Sequence, residues 1–119
     1  MPPRPQRDDP AAGVAPLGLL AALADATRQR ILQELTARHR ATATDLAADL
    51  PVSRQAVVKH LATLHRAGLV VPRNRGRAVE YQVEPARLRD AARWLDDVAA
   101  RWEQRLEALK RLAEDGDEG

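Results

Sequence analysis

The 119-residue sequence contains no cysteine. Disulfides, thiolate metal sites and cysteine nucleophiles are therefore excluded outright. No stretch approaches the roughly 18 consecutive apolar residues that a membrane-spanning helix needs. Residues 1–16 also lack the apolar core and small-residue cleavage site of an export signal. The expectation is a cytoplasmic protein with no membrane partner. The six glycines form no phosphate-cradling loop, and no carboxylate pair falls in an evident apolar cleft. Neither an enzyme nor a cofactor is expected on that basis.

One further absence is local. Between Leu50 and Val79 there are six basic residues and no acid at all, although the whole chain carries only a +2 net charge. Residues 17–83 hold ten Arg/Lys against five Asp/Glu, a balance of +5, whereas residues 84–119 hold seven against ten, a balance of −3. Solvated surfaces usually mix signs, so an acid-free stretch of this length points to a polyanion partner.

A chain of this length fits one domain. Residues 1–16, with five prolines, read as a disordered tail. Leu17, Leu20, Ala21 and Ala24 then recur at helical spacing and predict a short first helix. Asp25 is placed to cap a second helix through Arg38, with Ile31, Leu32 and Leu35 buried. Thr42 followed by Asp45 resembles a capping box and opens a third short helix carrying Leu46, Ala47 and Leu50, which Pro51 stops. Ser53 caps a fourth helix to about Arg66, closed by Gly68. Two short helices around a tight turn, the second more basic, make a helix-turn-helix pattern.

After Gly68 the period changes to two. Leu69–Val71 and Val79–Val83 read as strands flanking a basic tip, Arg73-Asn74-Arg75-Gly76-Arg77, with no acid in sequence nearby. Pro85 suits the first turn of a last helix. Along that helix Leu88, Ala92, Leu95, Ala99, Trp102, Leu106, Leu109 and Ala113 alternate steps of four and three. This makes a coiled-coil-like seam with a period of about 3.5 residues. A homodimer held by Leu88, Leu95, Trp102, Leu106 and Leu109 is the expectation, because a soluble monomer rarely exposes such a stripe. The predicted domain spans residues 17–113, with the dimerisation helix over about 86–113 and a frayed acidic tail over 114–119.

On the fourth helix Val57, Leu61 and Leu64 define the inner side. Gln55, Lys59, Ala62 and Arg66 lie opposite, with Arg54 and Val58 on the flank near its start. Such a face can enter a major groove and reach base edges or phosphates, although an ordinary solvated helix has the same pattern. Arg73, Arg75 and Arg77 on the following hairpin tip that balance, since arginines there suit phosphates or a narrow minor groove. Double-stranded DNA, read at a palindromic site by the two copies of a dimer, is the partner expected. An architectural DNA-binding module, or a winged helix binding RNA or protein, is the alternative.

The sequence also resembles a known family. Leu23-Ala24-Asp25-Ala26-Thr27-Arg28-Gln29-Arg30-Ile31-Leu32 is similar to the "LADPTR-x-x-IL" opening of the ArsR/SmtB winged-helix repressors, with Ala26 where Pro is common. Residues Val52 to Leu61, with Ala67-Gly68-Leu69-Val70 after them, resemble that family's recognition helix and entry to the wing. The likeness is close over residues 17–83. It implies a mainly α winged helix-turn-helix fold with a small β-hairpin, in the order α1-α2-α3-α4-β1-β2-α5. It also implies that Ser53, Arg54, Val58, Lys59 and His60 occupy the DNA-reading segment, Val58 standing where Ser is common. The family's thiolate metal site would fall at Thr42 and Thr44, and its other zinc site on a last helix that here has no histidine. His60 and His65 are five apart, the wrong spacing for one helical face. No metal site is expected, and the resemblance is to a branch that does not sense metal. Trp94 and Trp102 read as packing anchors; the other use open to them is to wall a small apolar effector pocket.

Overall fold

The computed structural model describes residues 16–117, with elements in the order α1 (Leu17–Leu23), α2 (Ala26–Arg38), β1 (Ala41–Thr42), α3 (Ala43–Asp49), α4 (Arg54–Arg66), β2 (Val70–Arg75), β3 (Ala78–Val83) and α5 (Pro85–Asp117). The expected tail over residues 1–16 lies, except for Pro16, outside the described residues, as do Glu118 and Gly119. Residues 16–89 form one packed body, and α5 from Asp90 onward is a second unit.

The helix starts follow from local chemistry. Asp25 accepts a hydrogen bond from the Arg28 backbone N–H at 2.9 Å and caps α2. Thr42 and Asp45 form a full capping box: Oγ1 accepts from Asp45 N–H and Oδ2 accepts from Thr42 N–H, both at 3.0 Å. Ser53 Oγ accepts from Ala56 N–H at 3.1 Å and starts α4. At α5 the Glu84 carboxylate accepts from Ala86 N–H at 3.2 Å, with Pro85 as the first helical residue, where a missing N–H costs nothing. The end of α4 is a Schellman motif. Gly68 N–H donates to His65 C=O and Leu69 N–H donates to Leu64 C=O, both at 2.9 Å. Gly68 sits at φ +78°, which favours glycine there, and an added Cβ would also come within 3.0 Å of the Arg87 side chain, which would have to shift.

The "LADATR" stretch is a clasp between α1 and α2. Arg28 Nε donates to Ala22 C=O at 2.6 Å and its Nη2 to Ala21 C=O at 3.2 Å. Gln29 Nε2 donates to Leu23 C=O at 2.7 Å. The carbonyls left over at the end of α1 are thus satisfied by side chains of α2. The resemblance to the family opening therefore has a local structural cause.

Ile31 and Leu35 of α2, Leu46 of α3, Val57, Leu61 and Leu64 of α4, and Leu69 with Val70 of β2 are fully enclosed. Each contributes about 1.5–3 kcal/mol of burial. No buried polar side chain occurs among the described residues.

Four details differ from the sequence reading. In α1 the buried residues are Leu19 and Ala22 rather than the stripe from Leu17, which is 70% exposed. The helix is leucine-rich on several sides, so spacing alone does not fix which side turns inward. A third strand, β1, pairs antiparallel with β3, Ala41 opposite Tyr81 and Thr42 opposite Glu80. Two residues carry no detectable period of two, so the sequence predicts no strand there. The hairpin strands run to Arg75 and from Ala78, leaving Gly76-Arg77 as a two-residue turn instead of a five-residue tip. Gly76 at φ +62° supplies the left-handed conformation such a turn needs. Finally, α5 begins at Pro85 and passes through Gly116 to Asp117, so Glu114–Asp117 are helical where the sequence predicts fraying. One glycine costs about 1 kcal/mol, too little to stop a helix of good formers.

Candidate nucleic-acid interface

Helices α3 and α4, with the turn through Leu50–Ser53 between them, form the helix-turn-helix. The buried side of α4 is Val57, Leu61 and Leu64, as the spacing predicts. Arg54, Gln55, Val58, Lys59, Ala62 and Arg66 are exposed and Ser53 is exposed at the cap, while His60 is half-buried. Val58 at 39% exposure is a slim apolar step between Arg54 and Lys59. The Gln55 and Lys59 side chains have no hydrogen-bond or ion-pair partner among the described residues.

Not every basic residue is equally free. Arg54 Nε donates to Thr44 Oγ1 of α3 at 3.1 Å. Arg66 Nη2 donates to Thr63 Oγ1 at 3.2 Å, and Arg66 lies at the far end of α4, about 18 Å from Arg54 at 1.5 Å per residue. Asp25, at the start of α2, also feels His60. That carboxyl is held below its ordinary range chiefly by the Arg28 backbone N–H, with the Arg28 and His60 charges adding. Asp45 is lowered in the same way by the Thr42 backbone N–H and hydroxyl. Both carboxylates favour the fold at neutral pH, and this contribution is lost as pH falls below about 4.

The hairpin carries a correction to the acid-free reading. Arg73 and Arg75 lie two apart on β2 and so share a face, and Glu80 of β3 is the cross-strand partner of Arg73. Arg75 Nη1 lies 3.5 Å from Glu80 Oε1. The acid-free stretch ends at Val79, and the strand pairing folds the next residue, Glu80, back onto Arg73 and Arg75. Arg73 and Arg77 have no such side-chain partner among the described residues. Thr44, Glu80 and Arg28 are residues to which the sequence reading gives none of these contacts: Thr44 enters it only at the absent metal site, Arg28 only within the family-like opening, and Glu80 only as part of a strand. Only for Glu80 is there a usable signal: a two-residue turn at Gly76-Arg77 fixes Glu80 opposite Arg73.

Glu80 therefore competes with any phosphate for Arg75. If the hairpin contacts DNA, Glu80→Gln is expected to tighten binding to specific and random duplex alike by about two- to fivefold, since an exposed pair is worth about 0.2–1 kcal/mol and a like-signed charge near phosphate is removed as well. A salt titration by fluorescence anisotropy checks it. Unchanged affinity on both duplexes would place the Glu80 face of the hairpin away from DNA.

Along α5 the proposed seam residues Leu95, Trp102, Leu106 and Leu109 are 52–59% exposed on the single chain, while Leu88 is half-buried. Ala91 is buried, and Trp94 and Val98 are half-buried, on a stripe offset from that seam. Arg105 stacks 5.9 Å from the Trp102 ring centre. Two clefts in the 16–89 body, of about 510 and 610 Å³, are lined by neither tryptophan. Among the described residues no three His, Asp or Glu side chains gather to hold an ion, and no helix is long and apolar enough to cross a membrane.

Known proteins share this arrangement. A family described as "Helix-turn-helix domain" matches residues 23–73, from the α1–α2 clasp into β2. The arsenical resistance operon repressor of Escherichia coli is 30% identical over 96 residues, covering 81% of this chain and 82% of that protein. The HTH-type transcriptional regulator YuzN of Bacillus subtilis is 40% identical over 72 residues, covering 54% of this chain and 78% of that one. Among solved structures, an ArsR-like transcriptional regulator from Rhodococcus sp. RHA1 superposes with a TM-score of 0.75 at 44% identity, covering 82% of this chain and 92% of that chain. The fold, the order of its elements and these relatives agree: the chain belongs to the ArsR family of winged helix-turn-helix transcriptional regulators.

Proposed function

We propose that the chain is a cytoplasmic, homodimeric repressor that binds a palindromic operator in double-stranded DNA. In this reading α4 enters the major groove, with Arg54, Gln55, Val58 and Lys59 toward base edges. Ser53 and His60 border that segment, and Arg66 serves phosphate at its far end. Arg73 and Arg77 on the hairpin meet the flanking backbone or minor groove, with Arg75 shared between DNA and Glu80. Two copies joined along α5 present two such helices to two half-sites. The observation that carries the reading is the outward face of α4. It is basic and acid-free, with Gln55 and Lys59 unpartnered among the described residues, on a helix whose other side is locked into the core. The Escherichia coli relative is an operon repressor, which favours repression over activation. The chain acts by binding, with no chemical step.

The test compares affinity for a palindromic duplex from the protein's own promoter with random duplex and with RNA of the same length. Preference of about a thousandfold or more for the palindrome is expected of operator recognition. Equal affinity for both duplexes would instead favour an architectural role, and preference for RNA the other alternative.

The operator complex is also expected to be indifferent to metals. With no cysteine in the chain and all three histidines outside α5, stoichiometric zinc, cadmium or arsenite should leave the binding isotherm unchanged. A sub-micromolar metal affinity that also releases DNA would overturn this.

A further inference from the structure

Arg54 is the first residue of α4, and its backbone is fixed by the Ser53 cap. Its side chain is fixed as well, from a different helix: Nε donates to Thr44 Oγ1 at 3.1 Å, across the turn that joins α3 to α4. Nη1 and Nη2 have no partner among the described residues. An arginine normally carries several freely rotating bonds, and ordering them opposes any contact it makes. Here one donor is used internally, on the inner edge of the fork, and the outer pair is left for a partner. The arrangement matches the way a guanidinium addresses two adjacent acceptors, such as O6 and N7 of guanine or two phosphate oxygens.

We propose that Thr44 is a positioning residue for DNA recognition: its hydroxyl holds the Arg54 guanidinium in advance so that Nη1 and Nη2 are presented to the operator. Thr44 does not itself touch DNA, and its effect passes through Arg54 alone. The inference rests on the DNA-binding reading of α4 and adds to it a residue of the preceding helix. Thr44 is exposed and takes no part in the Thr42–Asp45 capping box, so substituting it leaves the start of α3 intact.

The experiment uses the full-length chain in three variants, Thr44→Val, Thr44→Ser and Arg54→Ala, with the double variant Thr44→Val/Arg54→Ala. Valine keeps the shape and removes the acceptor, while serine keeps the acceptor. In the free protein, the NMR signal of Arg54 Nε–H is expected to shift in Thr44→Val and to stay near its original position in Thr44→Ser, which tests the bond without any DNA. On the palindromic duplex, Arg54→Ala is expected to lose about tenfold or more in affinity. Thr44→Val should lose about fivefold, Thr44→Ser little, and the double variant no more than Arg54→Ala alone. Random duplex should be nearly unaffected by Thr44→Val. If Thr44→Val binds like the original while Arg54→Ala is impaired, the positioning role is wrong although the DNA-binding reading stands. Additive losses in the double variant would make Thr44 a contact of its own and likewise overturn it. If Arg54→Ala is silent on both duplexes, the contact assigned to Arg54 fails first, and with it the role of Thr44.

Discussion

Trp102→Ala is expected to turn a dimer into a monomer at micromolar concentration and to reduce operator affinity by about two orders of magnitude or more. Trp102, Leu95, Leu106 and Leu109 are each more than half exposed on the single chain and recur with the seven-residue repeat of a helix pair. Tryptophan at the centre of such an interface typically costs about 2 kcal/mol or more when truncated. In a two-fold interface the same side chain is removed from both partners, so the cost roughly doubles to about 4 kcal/mol, close to a thousandfold in the dimer constant. Operator affinity follows because a monomer contacts one half-site only. Trp102 contributes little to the fold of the single chain, so the melting of residues 16–89 by circular dichroism should barely move apart from the linked loss of dimer. Arg105 stacks on the Trp102 ring, and Arg105→Ala is expected to weaken the dimer far less, as a rim cation does. Sedimentation velocity on both variants is the measurement. A wild-type chain that sediments as a monomer at micromolar concentration removes the basis of this prediction and of the palindrome.

How much of this architecture is legible in the sequence depends on whether each signal is local. Caps are local: Asp25, Thr42 with Asp45, and Ser53 each meet a backbone N–H three residues on, and the structure places all of them where the sequence does. The inner side of α4 is equally legible, because Val57, Leu61 and Leu64 are strongly apolar among polar neighbours. The phase of α1 is not, because leucines surround the helix and the burial of Leu19 is decided by packing. Strand β1 is two residues long, and its pairing with Glu80 and Tyr81 joins segments almost forty positions apart. The same distance effect hides the site's internal partners. Thr44 and Arg54 are ten apart on two helices, and Arg75 and Glu80 meet only across a hairpin whose turn looks longer in the sequence than it is. Charge counted along a sequence therefore overstates how free the wing arginines are.

The two basic elements are expected to separate in what they do to specificity. Gln55→Ala and Lys59→Ala remove groups from the exposed face of α4, the face proposed to meet base edges. Removing one base-edge hydrogen bond should cost about 1–3 kcal/mol on the operator and much less on random duplex. Arg73→Ala and Arg77→Ala remove cations on or beside the two-residue turn, where phosphate or the minor groove is the natural target. They should weaken both duplexes similarly and flatten the salt dependence by about one unit for every phosphate left without its cation. Arg75→Ala should do less than either, because part of its guanidinium is already engaged by Glu80 and a phosphate can gain it only by weakening that pair. In the Glu80→Gln background the Arg75 effect should grow to match the others, a coupling that an independent pair of sites would not give. The measurement is a salt titration of each variant on operator and random duplex. Wing variants that lose only specific affinity while helix variants lose both equally would reverse the two roles, and silence from both sets would remove the DNA-binding reading itself.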